Sequence, residues 1–217
     1  MENNDQKRTL TEQQSLELIT RMISDTRTRL ARNSGVPFLI WGYATIAVAL
    51  FEFIVQRTFT DPEPWLWAWW AIPAIGIAGM LLMGRRDTGA KNYLDRTVTA
   101  VWTVCSISIL TVAVPLSMFY HVSMLFTVVV LIGIGTTITG RIIRDTTTSA
   151  AGFLFTLSAL IYPLRSIYFG ELPSGSAADA MHWHSVNNLV FATQFLLFMV
   201  IPGHILNYKT NRKCSRN

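Results

Sequence analysis

The sequence predicts an all-α membrane protein, a six-helix transmembrane bundle preceded by an amphipathic cytoplasmic helix. Three observations predict it. Six apolar runs, each 19 to 23 residues long, fill the chain from Val36 to Leu206, and a helix needs about 20 apolar residues to cross about 30 Å of hydrocarbon. Lys and Arg gather in alternate connections and in the two tails. The polar first 35 residues carry apolar side chains at helical spacing. Helices buried in a soluble core would be shorter and would show a charged face, whereas the six runs hold only Glu52 and Arg165 as fixed charges.

Residues 1–35 are read as a cytoplasmic amphipathic helix and linker. Leu16, Ile19, Met22 and Ile23, with Leu30 further on, recur at the spacing of one helix face. Thr9 and Glu12 fit a capping box, and Asn33, Ser34, Gly35 and Pro37 supply a stop. Two roles compete for the apolar stripe. It lies in the head-group layer or on the end of the bundle, with Arg21, Arg27, Arg29 and Arg32 on lipid phosphates, or it docks a cytoplasmic protein partner or a second copy.

The bundle, residues 36–206, is read as spans over 36–56, 65–83, 98–120, 122–140, 150–170 and 186–206, with 207–217 as a basic cytoplasmic tail. Little more than His121 separates the third and fourth spans, which predicts a tight antiparallel hairpin. The longest connection on that side, Glu171 to Ser185, contains Pro173, Ser174, Gly175 and Ser176 and reads as a weakly folded loop. Pro73, Pro115, Pro163 and Pro202 are expected to bend their helices and free carbonyls.

Orientation follows from the cations. Sixteen of the 18 Lys and Arg lie before the first span, in the second and fourth connections, or in the C-terminal tail. The opposite loops carry Asp61, Glu63, Glu171 and Asp179. Because positive loops stay on the cytoplasmic side, both termini are expected there, in a multi-pass protein of a bacterial inner membrane. The net charge of +5 then sits where anionic lipids attract it, and no nucleic-acid role is needed to explain it. Cys105, within a span, and Cys214, in the tail, are too far apart in environment for a disulfide framework. The first apolar run begins too late and runs too long for a signal peptide, so it is expected to serve as its own insertion signal.

Charges inside a membrane are costly, which makes Glu52 and Arg165 the leading candidates for a polar site, with Gln194 beside them. By helix rise the two charges lie at similar depth, so an ion pair tying the first span to the fifth competes with a site for a solute, ion or proton. Gly133, Gly135, Thr136, Thr137 and Gly140 form a small-residue surface on the fourth span suited to close helix packing. Gly76 and Gly79 do the same on the second. His121, His182 and His184 are weak metal candidates, because no carboxylate or cysteine accompanies them; ordinary interfacial histidines explain them as well, and neither a metal nor another cofactor is expected. Trp65, Trp67, Trp69 and Trp70 read as an aromatic belt.

No HExxH, Walker loop or GxSxG motif occurs, and no pair of intramembrane aspartates, so catalysis is not expected. The segments Ser15-Leu16-Glu17-Leu18-Ile19 with Met22-Ile23, then Trp41-Gly42, and Ile201-Pro202-Gly203-His204-Ile205-Leu206 at the end of the last span together resemble a set of uncharacterised bacterial six-span membrane proteins. The resemblance implies a bacterial cytoplasmic membrane and no particular activity. Two functional classes remain: a non-catalytic sensor, regulatory or assembly component working through the N-terminal helix, and a small-solute or ion transporter or channel. At six spans the latter would act as a homo-oligomer, with the glycine-rich fourth span as its interface.

Overall fold

A computed structural model describes residues 12–59, 63–84, 93–120, 122–169 and 177–214. Among these residues there is no strand, and nine α-helices follow one another. They are α1 (Glu12–Thr58), α2 (Ala71–Gly84), α3 (Tyr93–Ser108), α4 (Val114–Tyr120), α5 (Met124–Ile143), α6 (Thr146–Ser158), α7 (Ile161–Phe169), α8 (Ala177–Phe195) and α9 (Ile201–Cys214). Five stretches are long and apolar enough to cross a membrane: Gly35–Thr58, Arg96–Tyr120, Met124–Ile143, Thr146–Tyr168 and His184–Lys209. Large apolar side chains point outward along all of them, among them Ile54, Leu110, Phe153 and Leu197. A helix set apolar all round is matched to lipid rather than water.

The first departure from the sequence reading is α1. Its 47 residues form one helix, about 70 Å long at 1.5 Å per residue, with no break at Asn33–Pro37. Gly35 is not a helix cap. A Cβ there would stand 3.2 Å from the Gly203 carbonyl, and one on Gly203 would stand 3.4 Å from the Gly35 carbonyl, so the two glycines let α1 and α9 touch backbone to backbone. Pro37 removes one hydrogen bond from the ladder, a loss that membrane helices tolerate. Of the proposed capping pair, Glu12 opens the helix and Thr9 lies outside the described residues.

A second departure concerns the run 65–83. Residues Glu63–Trp70 wind as a 3-10 helix and only Ala71–Gly84 are α-helical. The apolar helix Trp67–Leu82 is thereby shorter than a full span. It runs antiparallel to α1 all the same. Trp65 packs on Phe51 and Phe59, while Gly76 lies under the Trp41 ring and Gly79 against Ile40.

The prolines mark where the helix ladder changes. Pro115 follows a π turn at Ile109–Ala113, in which the Val114 N–H reaches the Ile109 carbonyl. Pro202 follows another at Leu196–Val200, closed by Ile201 N–H on Leu196. Pro163 follows the break between α6 and α7, where the Tyr162 N–H bonds to the Ala159 carbonyl at 3.1 Å. A missing N–H leaves a carbonyl one turn back free, and wider or tighter turns absorb it.

The α4–α5 hairpin is tight, as expected: the Val122 N–H reaches the Leu116 carbonyl at 3.2 Å and Ser123 caps α5. The connection read as a loop from Glu171 to Ser185 is helical from Ala177 on, because Ala177, Ala178, Ala180 and Met181 are good helix formers. The last helix likewise runs past Leu206 to Cys214. At the centre, Phe155, Phe191 and Phe195 interlock, with ring centroids 4.7 to 5.1 Å apart, and Ala49, Val129, Tyr162 and Met199 close around them.

Candidate functional site

The seam between α1 and the last span is polar at one end and apolar at the other. Near Thr58, Asn188 donates to the Gln56 side-chain carbonyl at 3.1 Å, and Ser185, one turn before Asn188 on α8, is wholly buried. Four residues further in along each helix stand Glu52 and Ala192, so the carboxylate lies at the level of Ala192, about 6 Å below the amide pair. Beyond it the lining of the seam is predominantly apolar: Val48, Ala49 and Ala44 on α1, Phe195, Met199 and Val200 opposite. Thr45 is buried there too, but its hydroxyl donates to the Trp41 carbonyl of its own helix.

Glu52 is 0% exposed, and neither carboxylate oxygen meets a hydrogen-bond donor among the described residues. The ion pair with Arg165 does not form. Arg165 donates instead to the Asn187 side-chain carbonyl at 2.7 Å. Similar depth along two helices does not set the direction in which each side chain leaves its helix, and that direction separates them.

Gln194 is fully satisfied. Its carbonyl accepts from the Tyr162 hydroxyl at 2.8 Å, and its amide donates to both the carbonyl and the hydroxyl of Ser158 at 2.9 Å. The amide thus bridges the broken fifth span to α8 exactly where the α6–α7 ladder is interrupted. Gln194 is a structural crosslink, with no free donor or acceptor turned to a ligand.

The small residues of α5 pack within the chain. A Cβ on Gly133 would stand 2.7 Å from the Thr156 nitrogen, and one on Gly140 would stand 2.7 Å from the Ser149 Cα. Gly135 faces the other way, its notional Cβ 3.1 Å from Cys105 Sγ on α3. Thr137 bonds back to the Gly133 carbonyl at 2.8 Å. These residues are therefore a packing surface, but one occupied by α3 and α6 and not open to a second copy.

At the opposite end of the molecule, Asp145 caps α6. It accepts from the Thr148 N–H at 2.9 Å and the Thr148 hydroxyl at 2.7 Å, while Lys209 of α9 donates to its other oxygen at 3.1 Å and to Thr147 at 2.6 Å. Burial pushes the Asp145 carboxyl upward, but the Thr148 and Lys209 contacts outweigh it and hold it below the usual carboxylate value. An open cavity of about 540 Å³ lies at this turn, between Gly140, Arg141, Arg144, Ser149 and Phe153; Glu52 does not border it.

Among the described residues no three His, Cys, Asp or Glu side chains converge on a metal-sized site. His121 and the side chain of His182 lie outside the described residues, and His184 stands exposed at the start of the last span. Sequence reasoning missed Gln56, Asn188 and Ser185, although Asn187–Asn188 one turn inside a span is a visible polar signal. It also missed the bond between the Tyr43 hydroxyl and His204 Nε2, at 2.8 Å, which ties α1 to α9. Comparison of the chain with protein-family models, with curated proteins and with solved structures finds no match.

Proposed function

We propose that this multi-pass membrane protein is a non-catalytic sensor, regulatory or assembly component of a bacterial inner membrane, with six spans and both termini in the cytoplasm. One observation carries the reading: α1 is a single continuous helix. It enters the bundle at Gly35 and continues without interruption back to Glu12, about 35 Å beyond the membrane-spanning part. Leu16, Leu18, Ile19 and Met22 on it are 49 to 64% exposed. They do not pack on the end of the bundle. A helix with apolar side chains offered to the cytoplasm suits recognition of a protein, and its continuity links that recognition to the packing of the membrane domain.

The sixth span has support in the antiparallel course of residues 65–79 from Phe59 to Ile40. That course covers 19 residues of α1, about 28 Å, close to the hydrocarbon thickness. An even number of spans also keeps all four basic segments on one side. The transport reading retains Glu52 as its one supporting feature, but the glycine face that would have built its oligomer is filled within the chain.

The test is a photoreactive amino acid placed in turn at Leu16, Met22 and, as a lipid-facing control, Ile54, with cross-linking in living cells. The recruitment reading predicts one discrete protein adduct from Leu16 and Met22 that is absent from Ile54 and competed by a peptide of residues 12–32. Lipid adducts alone from all three positions would overturn it.

A further inference from the structure

We propose that Glu52 is an intramembrane proton-binding site, a carboxyl that rests as the neutral acid and exchanges its proton with the solvent only at the Thr58 end of the bundle. The first part follows from burial without a partner. Both oxygens are enclosed and no donor of the described residues reaches them. An ionised carboxylate in that state would carry the full cost of desolvation, and the group takes up a proton instead. Uptake is a simple association in which the proton from water binds one oxygen and the charge is lost.

Neighbouring charges do not reverse this. Arg165 of α7 donates to Asn187, Tyr162 of α7 donates to Gln194, and Cys105 of α3 donates to the Leu131 carbonyl at 3.6 Å. Arg57, on α1 itself, stands over the Phe53 ring at 4.8 Å. His184 of α8 is two turns nearer the Thr58 end, and His204 of α9 sits against Tyr43 at the far end. Residues 71–82, α5 and residues 196–200 bring no acid or base to this level.

Access follows from the asymmetry of the seam. Glu52 is six residues from Thr58, about 9 Å, and 17 residues from Gly35, about 26 Å. Toward Thr58 the seam holds the polar groups Gln56, Asn188 and Ser185 beside Val55 and Phe191, and those polar groups can hold a water. Toward Gly35 it is filled by Ala49, Phe195, Met199 and Val200, and the buried Thr45 and Gln194 there are bonded to Trp41, Tyr162 and Ser158. The asymmetry is a property of the molecule and does not depend on the recruitment reading. Assigning the Thr58 end to the outer face does rest on that reading's topology.

The test uses full-length protein in liposomes and infrared difference spectra of wild type minus Glu52→Gln. A carbonyl band of a protonated carboxyl present at neutral pH and absent from Glu52→Gln is the expected result. The band should shift in deuterium oxide, and the shift should be slower in Asn188→Leu, in which the polar end of the seam is plugged. Absence of the band at neutral pH, or its persistence in Glu52→Gln, overturns the neutral acid. Equal exchange in Asn188→Leu overturns one-ended access. Should Glu52→Gln fail to insert, Glu52→Asp replaces it, with a displaced band expected and an unmoved band overturning the assignment. Deletion of residues 1–32 should leave the band unchanged, so failure here and failure of the recruitment reading are separable.

Discussion

At the scale of single residues, Glu52 and Asp145 show how the same side-chain chemistry is handled in two environments. Glu52 has no hydrogen-bond partner to lose among the described residues, so Glu52→Gln, isosteric with the neutral acid, should leave unfolding in detergent within about 1 kcal/mol of wild type, while Glu52→Lys should cost several times more. Because Arg165 is engaged with Asn187, a double-mutant cycle of Glu52→Gln and Arg165→Gln should show coupling below about 0.5 kcal/mol; a coupling of 2 kcal/mol or more would reinstate the ion pair. Asp145 behaves in the opposite sense. Its carboxyl is held below its ordinary value of 3.8, so the folded state binds its proton more weakly than the unfolded chain. The stabilisation from its ionised form is complete above the unfolded value and is lost as pH falls through about 4 toward the lower folded value. Asp145→Asn, which keeps the cap but not the charge, should flatten that acid limb of the stability profile.

At the scale of elements, the tightest joint is α5 against α6, and it rests on backbone approach. A Cβ on Gly152 would stand 2.9 Å from the Gly133 carbonyl oxygen, an atom fixed by the helix, whereas one on Gly135 would meet side chains alone, the Cys105 thiol at 3.1 Å and the Trp102 ring at 3.8 Å. Gly152→Ala should therefore destabilise by about 1–3 kcal/mol through forced separation of the helices, and Gly135→Ala by clearly less, since a side chain can turn aside. Unfolding midpoints of the two variants in one detergent check this, and equal losses would refute it. The small-residue surface was legible in the sequence because glycine at helical spacing has few other uses in lipid. Which helix it faces was not, since α3 and α6 offer equally apolar partners. The break expected at Asn33–Pro37 failed for a related reason: the residues that stop a helix in water, glycine and proline, also allow close crossing and bending within a bundle, and Gly35 is used for its contact with Gly203.

At the scale of the whole molecule, five of the six runs were legible as span-length apolar helices from run length alone, because hydrocarbon thickness imposes that length. Side-chain direction was not, since depth along a helix is read from position while azimuth is set by packing, and so the supposed Glu52–Arg165 pair dissolved into two separate arrangements. The second run is where the two kinds of information meet. Its helix is short for a span, yet its ring and glycine contacts follow α1 from Phe59 to Ile40. If it crosses the membrane, Arg85, Arg86 and Lys91 emerge on the side of the N-terminal part of α1; if it turns back, they emerge opposite it, as does the C-terminal tail four spans later, and the basic segments are divided between two faces. The sequence supplies its own reference, because Cys214 lies in that tail and Cys105 is buried. In intact cells an Arg86→Cys variant should resist a membrane-impermeant maleimide just as Cys214 does, and both should react once the membrane is opened. Labelling of both position 86 and Cys214 from outside would reduce the bundle to five spans and place the N-terminal part of α1 and the C-terminal tail on opposite faces.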